Sequence, residues 1–387
     1  MLVLPESPVP FGNAAARWYY VLLRELVARG HRVTCFAACS NRSEMEEARC
    51  LFPEVNYDLR LYPFPAPGGI RSKLQTARRP YSYMFSKELR RDLENELSAG
   101  FHVLHLEGLW GGWLGLAHRE RALVNIHFLS SVDQANARVH GLANRARLWL
   151  ACYGERRLIR AYPRLIALSQ RLRDEILGIA SGASVSVCPL GIEPSLYTYI
   201  PDERRTVEPV VAVIGNMTWY PTRSAAVRFL ERLWPEIKRR LPSARAQLVG
   251  WGARSALAQF SAMPDVVIEE NVPDTRPYFE RTGVMLYAPD RGSGMKVKVL
   301  ESLGFGVPVV TNFEGVEGIP AEDGVHAGVC EDNAGLIERT VSLLQNPAAQ
   351  NRQRAAGRAL LEAHCGPGPT VDAIERVYAG MSSPATR

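Results

Sequence analysis

The sequence contains no run of about eighteen apolar residues, which argues against a membrane-spanning helix. Its amino terminus, Met1-Leu2-Val3-Leu4-Pro5, lacks the basic and long apolar regions of a signal peptide. Seven cysteines are spread through the chain without a Cys-x-x-Cys pair, so neither a disulfide framework nor a zinc site is indicated. We therefore expect a cytoplasmic protein with reduced cysteines.

Positive charge is concentrated in the first half of the chain. Residues 1–206 carry 27 Lys and Arg against 20 Asp and Glu, whereas the remainder carries 19 against 20. Such a surface suits an anionic partner, such as lipid headgroups or a lipid diphosphate, although a generic basic surface without a partner is an open alternative. Because zinc fingers, RNA-binding motifs and basic repeats are absent, we do not expect a nucleic-acid partner.

Short apolar runs alternate with longer helical patterns, which is typical of α/β proteins with doubly wound parallel sheets. The 387 residues suffice for two domains with full cores. The predicted strands of the first half are Leu2–Leu4, His31–Ala37, Val103–Leu106, Ala122–Ile126, Leu165–Leu168 and Val185–Cys188. The predicted strands of the second half are Val210–Ile214, Ala246–Val249, Val266–Ile268, Val284–Tyr287 and Val307–Thr311. The first strand is so short that residues missing upstream of Met1 stay an open question.

The polar segment Pro194–Pro209 interrupts this alternation and is interpreted as an interdomain linker. We predict one Rossmann-like domain over 1–198, a second over 199–370, and a terminal helix over 371–387, whose return to the first domain is left open. In open parallel sheets, ligands bind beyond the carboxyl ends of the strands. Two such domains facing each other across a cleft would therefore offer two opposed sites.

The segment Gly292–Glu301 is the most informative stretch of the chain. It follows a predicted buried strand and leads into the predicted helix Lys298–Leu303, so free backbone N–H groups at the helix start could hold phosphate oxygens. Lys296 and Lys298 would add positive charge, and Glu301 could accept hydrogen bonds from ribose hydroxyls. This combination suits a sugar nucleotide. The alternative is an ordinary glycine-rich turn before a solvated helix.

With these residues considered together, the chain resembles the family 4 retaining glycosyltransferases of GT-B fold, and most closely the branch associated with exopolysaccharide sugar transfer. In the first domain, Arg29-Gly-His-Arg-Val-Thr34 and Val187-Cys-Pro-Leu-Gly-Ile192 are similar to family elements. In the second domain, the elements in family order are Val211-Ala-Val-Ile-Gly-Asn-Met-Thr-Trp219, Leu248-Val-Gly250, Asn271-Val-Pro-Asp274, Gly292–Glu301 and Pro308-Val-Val-Thr311.

Two positions depart from the family pattern. Where the family commonly has two glutamates seven residues apart, this chain has Ser293 and Glu301. The usual Arg/Lys pair after the first strand of the second domain is also missing, since Gly215 is followed by Asn216. The branch that the chain most resembles shares both departures and carries lysines like Lys296 and Lys298.

The resemblance implies transfer of a sugar from a nucleotide-diphosphate sugar, with retention and by a front-face mechanism. Gly215, Asn216 and Gly294 would hold the diphosphate together with the two lysines, and Val272 lies in a segment that usually meets the base. His127 matches the histidine that faces the donor sugar across the cleft. Arg223 is a further candidate phosphate ligand, or else a solvated helix residue. No Asp-x-Asp follows a predicted strand, so we expect neither a metal ion nor another cofactor beyond the sugar-nucleotide co-substrate.

Candidate residues for the acceptor side lie in the first domain. Gly12 and Asn13 form either a phosphate loop or a plain turn before the predicted helix Ala14–Arg29. Glu107 is a candidate acceptor contact or base. The residues His105, Trp110 and Trp113 form either an aromatic platform for sugar or lipid, or part of the core.

The acceptor itself could be a glycan, a lipid-linked compound or a small molecule, and peripheral membrane contact through the basic first domain is compatible with the charge distribution. Two other functions stay open. One is a catalytically silent GT-B protein that binds a sugar nucleotide, and the other is a sugar-nucleotide epimerase of the same fold.

Overall fold

The structure, a computed structural model, describes residues 1–11, 13–51, 57–65, 76–135, 141–205 and 208–382. The chain forms two compact units. The first comprises Met1–Ser131, Arg138–Ile192 and Pro367–Arg387, and the second comprises Val132–Ala137 and Glu193–Gly366. Each unit is built on one sheet of parallel strands flanked by helices, so the predicted α/β class with two Rossmann-like domains is confirmed.

The first unit contains a seven-stranded sheet in the order β3-β2-β1-β4-β5-β6-β7. The central strands are buried along their whole length, because crossover helices cover both faces of a parallel sheet. The strands are β1 (Leu2–Leu4), β2 (Val33–Cys39), β3 (Tyr57–Pro63), β4 (Leu104–Glu107), β5 (Ala122–Ile126), β6 (Arg164–Ala167) and β7 (Ser184–Val187). The helices between them are α1 (Ala14–Ala28), α2 (Arg42–Cys50), α3 (Lys87–Ala99), α4 (Leu142–Ala161) and α5 (Gln170–Ile179).

The second unit contains a six-stranded sheet in the order β10-β9-β8-β11-β12-β13. Its strands are β8 (Val210–Ile214), β9 (Arg245–Gly250), β10 (Val266–Glu270), β11 (Val284–Tyr287), β12 (Val309–Thr311) and β13 (Gly328–Val329). Its longer helices are α6 (Tyr220–Arg228), α7 (Trp234–Arg240), α8 (Arg276–Arg281), α9 (Val297–Phe305), α10 (Asn333–Gln345) and α11 (Pro347–His364). The chain order reverses between β8 and β11, which is where open α/β sheets bind ligands.

The terminal helix α12 (Pro367–Ser382) packs within the first unit. Arg29, at the end of α1, donates to Asp372 and Glu375 at 2.5 and 2.6 Å. Tyr378 of the same helix reaches the ring of His105, so α12 contacts the sheet as well as α1. None of the helices in the described ranges is long and apolar enough to cross a membrane.

Beyond shifts of a few residues at element ends, two strands and one helix differ from the sequence prediction. The edge strand β3 is not predicted, because Asp58 and Arg60 interrupt its apolar pattern. Strand β13 is not predicted either, because it is only two residues long. The single predicted helix Arg223–Leu241 is found in parts, with a π-helical stretch at Phe229–Leu233 between α6 and α7. Pro235 explains part of this break, since it cannot donate a backbone hydrogen bond to the preceding turn.

Candidate functional site

Glu107 ends β4 with its side chain fully buried. Its carboxylate accepts hydrogen bonds from Trp18 Nε1 at 3.2 Å and Asn125 Nδ2 at 3.1 Å, and lies 2.6 Å from His127 Nε2. Burial alone would raise the pKa of this carboxyl, but the interactions with His105 and His127 outweigh it and hold the pKa well below its usual range. Glu107 is therefore ionised at neutral pH and orients the imidazole of His127.

His127 follows the last residue of β5 directly, at the same edge of the sheet as Glu107. Its side chain is 12% exposed, and its ring centroid lies 5.9 Å from that of Tyr19. An imidazole that is held by a buried carboxylate and still reaches the surface can contact a ligand.

His105 connects Glu107 to the terminal helix. The ring is buried, with Nε2 lying 3.2 Å from Glu107 Oε1 and Nδ1 lying 2.6 Å from Tyr378 Oη. Burial raises the pKa of Tyr378 well above its ordinary value, so the phenol keeps its proton and can donate it to Nδ1. Sequence reasoning misses Tyr378, because it lies 273 residues from its partner.

Asn13 begins α1 as its N-cap, accepting from the backbone N–H groups of Ala15 and Ala16 at 2.9 and 3.0 Å. Its amide also donates to the carboxylate of Glu6, and burial raises the pKa of that carboxyl. Glu6 is missed from the sequence because a single acid among prolines forms no motif. Gly12, the other predicted residue of this loop, lies outside the described residues.

The two tryptophans after β4 have different environments. Trp113 is 5% exposed and donates its indole N–H to Pro80 O at 2.9 Å. Of the two interpretations left open by the sequence, the structure therefore favours core packing for Trp113. Trp110 is only partly buried, and its ring centroid lies 4.6 Å from that of Tyr81.

In the second unit, Gly215, directly after β8, touches Gly250, the last residue of β9. A Cβ on Gly250, where φ is +150°, would lie 1.8 Å from the carbonyl oxygen of Gly215, so this contact requires glycine. A Cβ on Gly215 would lie 3.5 Å from Cγ of Lys298. The backbone of the predicted phosphate loop thus lies beside the side chain of a predicted phosphate ligand.

Lys298 and Glu301 lie one turn apart at the start of α9. Lys298 Nζ is 2.7 Å from Glu301 Oε2, and the side chains are 25% and 1% exposed. The pair therefore places one buried carboxylate and one accessible ammonium at the carboxyl edge of the sheet.

Lys296 lies just before α9, with its side chain 1% exposed. Its ammonium donates to the carbonyl oxygens of Ser293 and Gly294 at 3.2 and 2.5 Å, and lies 3.6 Å from Glu317 Oε2. Lys296 therefore holds the loop from the inside, whereas Lys298 reaches the surface.

Ser293 stands where the family commonly has a glutamate, and it is tied to Asp133. Its backbone N–H and its hydroxyl both donate to Asp133 Oδ1 at 2.6 Å, and both residues are buried. Burial raises the pKa of Asp133, against the opposing effects of Ser293 and the charge of Lys296. The next residue, Gly294, adopts a φ of +72°, which favours glycine. Asp133 is missed from the sequence because 160 residues separate it from Ser293.

The remaining predicted donor residues lie near the surface of the second unit. Asn216 is exposed, and its side chain accepts from the N–H and hydroxyl of Thr218 at 2.9 and 2.6 Å, which closes the turn after β8. Arg223 is exposed on α6, and Val272 is partly exposed just after β10.

The predicted site residues thus form two groups. Asn13, Glu107 and Trp110 lie in the first unit with His127, and the donor residues lie in the second unit, where Gly215, Lys298 and Glu301 come together. Within the described ranges, no group of three or more His, Cys, Asp or Glu is arranged to hold a metal ion.

Solved structures of the same architecture cover nearly the whole chain. Sucrose-phosphate synthase from Thermosynechococcus elongatus is 15% identical, with a TM-score of 0.68 over 98% of both chains. Anabaena HepE, in complex with UDP and glucose, is 12% identical, with a TM-score of 0.66 over 98% of this chain and 99% of HepE. WaaG, a glycosyltransferase involved in lipopolysaccharide biosynthesis, is 12% identical, with a TM-score of 0.64 over 99% of this chain and all of WaaG. At these identities the similarity defines the fold, which is of the GT-B class.

Two sequence families match successive parts of the chain. The family described as Glycosyltransferase Family 4 matches residues 15–196, and the family described as Glycosyl transferases group 1 matches residues 208–346. The search of curated proteins found no match. The two ranges together span most of the chain, and with the GT-B fold they support a glycosyltransferase of the family 4 type.

Proposed function

We propose that the protein is a retaining glycosyltransferase that moves a sugar from a nucleotide-diphosphate sugar to a hydroxyl acceptor without a metal ion. The observation that carries this proposal is the Lys298–Glu301 pair beside Gly215, at the carboxyl edge of the second sheet. An accessible ammonium, a buried carboxylate and a close glycine backbone are the groups that a nucleoside diphosphate needs.

The ammonium of Lys298 and the backbone N–H groups at the start of α9 hold the diphosphate. Negative charge grows on this diphosphate as the glycosidic bond breaks, so fixed positive groups there lower the barrier. Glu301 accepts hydrogen bonds from the ribose hydroxyls. The similar structure of HepE contains UDP, and another structure of HepE contains UDP-glucose, so uridine is the base that we propose.

The transition state of glycosyl transfer is oxocarbenium-like. In the proposed front-face mechanism, the departing phosphate accepts the proton of the attacking acceptor hydroxyl, and no protein nucleophile is required. His127, oriented by the ionised Glu107, contacts the donor sugar. The first unit supplies the acceptor side, and we propose a glycan, lipid-linked or small-molecule hydroxyl compound that is reached from the cytoplasm.

Nucleotide release tests this proposal directly. Purified protein is incubated with UDP-, GDP-, ADP- and dTDP-sugars and an extract of acceptor compounds, and free nucleoside diphosphate is measured. We expect release from a uridine sugar that depends on the acceptor and falls in Lys298→Ala, with Arg352→Ala as an exposed control on α11. Absence of release from every donor would overturn the proposal.

A catalytically silent sugar-nucleotide-binding protein is the second candidate. The observation that favours it is Ser293, which occupies a common glutamate position and is engaged by Asp133. A silent protein would show a raised melting temperature with UDP, because ligand binding stabilises by mass action, but no release of UDP from UDP-sugars.

A further inference from the structure

Helix α4 is anchored to the first unit through its second half. Its buried residues are Ala151, Gly154, Glu155, Leu158 and Ile159, whereas residues 141–147 are exposed on every side of the helix. The carboxylate of Glu155 accepts from the backbone N–H groups of Ser130 and Ser131 at 2.7 and 3.3 Å. A Cβ on Gly154 would lie 2.9 Å from the Pro80 side chain, so the docked half packs closely. The first half of α4 therefore projects into solvent.

Large apolar side chains line the exposed face of α4. Trp149 and Tyr153 are 66% and 56% exposed, and their rings stack with centroids 5.7 Å apart and planes 12° apart. Leu142, seven residues before Trp149, is 84% exposed. Spacings of four and seven residues place all three on one face of the helix. Apolar side chains grouped in this way, rather than scattered singly, mark an interaction surface.

The charge of the same helix is entirely of one sign at its surface. Its exposed arginines are Arg145, Arg147, Arg156, Arg157 and Arg160. Its one acidic residue, Glu155, is fully buried. The exposed surface of α4 therefore combines an aromatic centre with arginines toward both ends.

We propose that this exposed face of α4 is a membrane-contact surface that lies in the headgroup region of an anionic bilayer. Trp and Tyr prefer the membrane–water interface, where an apolar ring and a polar atom are both satisfied. The arginine side chains reach back to the phosphate groups while their apolar stems stay near the ring pair. The biological role of this contact rests on the proposed function: it would bring the glycosyltransferase to an acceptor that lies in the membrane.

Charge selects the bilayer among the possible occupants of this face. A second copy of the chain would bring an identical arginine-rich helix to it, and juxtaposed like charges disfavour that contact. A neutral glycan could stack on the ring pair but would leave the arginines without a partner. An anionic bilayer matches both features along the length of the helix.

Flotation with vesicles tests the proposal. We expect the full-length protein to float with phosphatidylcholine vesicles that contain phosphatidylglycerol, but not with phosphatidylcholine alone. Binding should weaken as salt is added, because exposed charges are screened beyond about 8 Å at physiological ionic strength. Each arginine near an anionic surface is worth about a fivefold change in partitioning, so Arg145→Glu with Arg156→Glu should reduce binding by more than about tenfold.

The aromatic pair and the controls separate this face from the rest of the surface. Trp149→Ala with Tyr153→Ala should reduce binding several-fold, whereas Trp251→Ala and Arg352→Glu, at exposed positions of the second unit, should bind like wild type. The melting temperature of each variant serves as the folding control. It should equal that of wild type, because the altered side chains are exposed.

Three results would overturn the proposal: no flotation of wild type with anionic vesicles at low salt, equal flotation of wild type and both α4 variants, or conversion of a dimer to a monomer by those variants without any lipid binding. Glu301→Gln should float like wild type. Absence of UDP release from wild type together with intact flotation would therefore count against the proposed function alone.

Discussion

Lys298 Nζ lies 2.7 Å from Glu301 Oε2, so an ammonium at the surface and a carboxylate in the interior form one unit at the start of α9. From the sequence alone, Lys298 is expected at the diphosphate of the donor and Glu301 at its ribose. Because the two charges are paired in the structure, a substitution of either residue changes the electrostatic environment of the other.

This pairing predicts non-additive effects on stability. Lys298→Ala should lower the free energy of unfolding by about 1–3 kcal/mol, since it leaves a buried carboxylate without its cation, a loss moderated by the partial exposure of Lys298. The same substitution in a Glu301→Gln background should cost less. Urea unfolding of the four proteins measures this coupling, and equal losses in the two backgrounds would show that the pair is not coupled.

Substitution of Lys296 should mainly lower stability, whereas substitution of Lys298 should mainly lower turnover. Lys296→Ala should lower the free energy of unfolding by about 3 kcal/mol, because the buried carboxylate of Glu317 loses its cation. Lys298→Ala should lower turnover by about tenfold or more, because Lys298 supplies charge to the leaving diphosphate. Steady-state kinetics with unfolding curves separate the two effects. If neither variant lowers turnover, the diphosphate is held elsewhere, and Arg223 is the next residue to test.

Glu107 should contribute stability that depends on pH. Its pKa is depressed in the folded protein, so its contribution is fully present above the ordinary carboxyl pKa and is lost as the pH falls through the acid range, from about pH 5 downward. The difference in unfolding free energy between wild type and Glu107→Gln should therefore shrink between pH 7 and about pH 4. Urea unfolding at several pH values measures it, and a difference independent of pH would contradict the assignment.

The contact between Gly215 and Gly250 should not tolerate a methyl group. Gly250→Ala places Cβ 1.8 Å from Gly215 O at a φ of +150°. The strain and the clash together should lower the free energy of unfolding by at least about 3 kcal/mol. The control is Gly178→Ala in α5, where nothing lies within 4 Å of the added Cβ. We expect this control to be neutral or to stabilise by about 0.5–1 kcal/mol, and equal stability of both variants would contradict the described contact.

Local pattern predicts the strands well where they are buried on both faces. Val210–Ile214 and Val284–Tyr287 have the predicted bounds, because each is a continuous apolar run between turn residues. The edge strand β3 is not predicted, because part of it faces solvent and its charged residues interrupt the apolar run that indicates a strand. Strands can thus be predicted from the sequence where both faces are buried, because such strands are continuous apolar runs.

The candidate site is predictable only in part, for a physical reason. Lys298 and Glu301 lie in one short motif, so their proximity follows from helix geometry. Asp133 and Tyr378 reach their partners from 160 and 273 residues away, through packing that no local spacing encodes. The buried position of Lys296 likewise depends on Glu317 from a later loop.

The most direct test of the account is calorimetric titration of wild type and Glu301→Gln with UDP. A ribose held by the carboxylate loses a charged acceptor in the variant, which costs on the order of 1.5–3 kcal/mol. We predict that wild type binds UDP and that the folded variant binds it at least about tenfold more weakly. Equal affinity of the two proteins would remove Glu301 from the site, and absence of binding to wild type would contradict the proposed uridine donor.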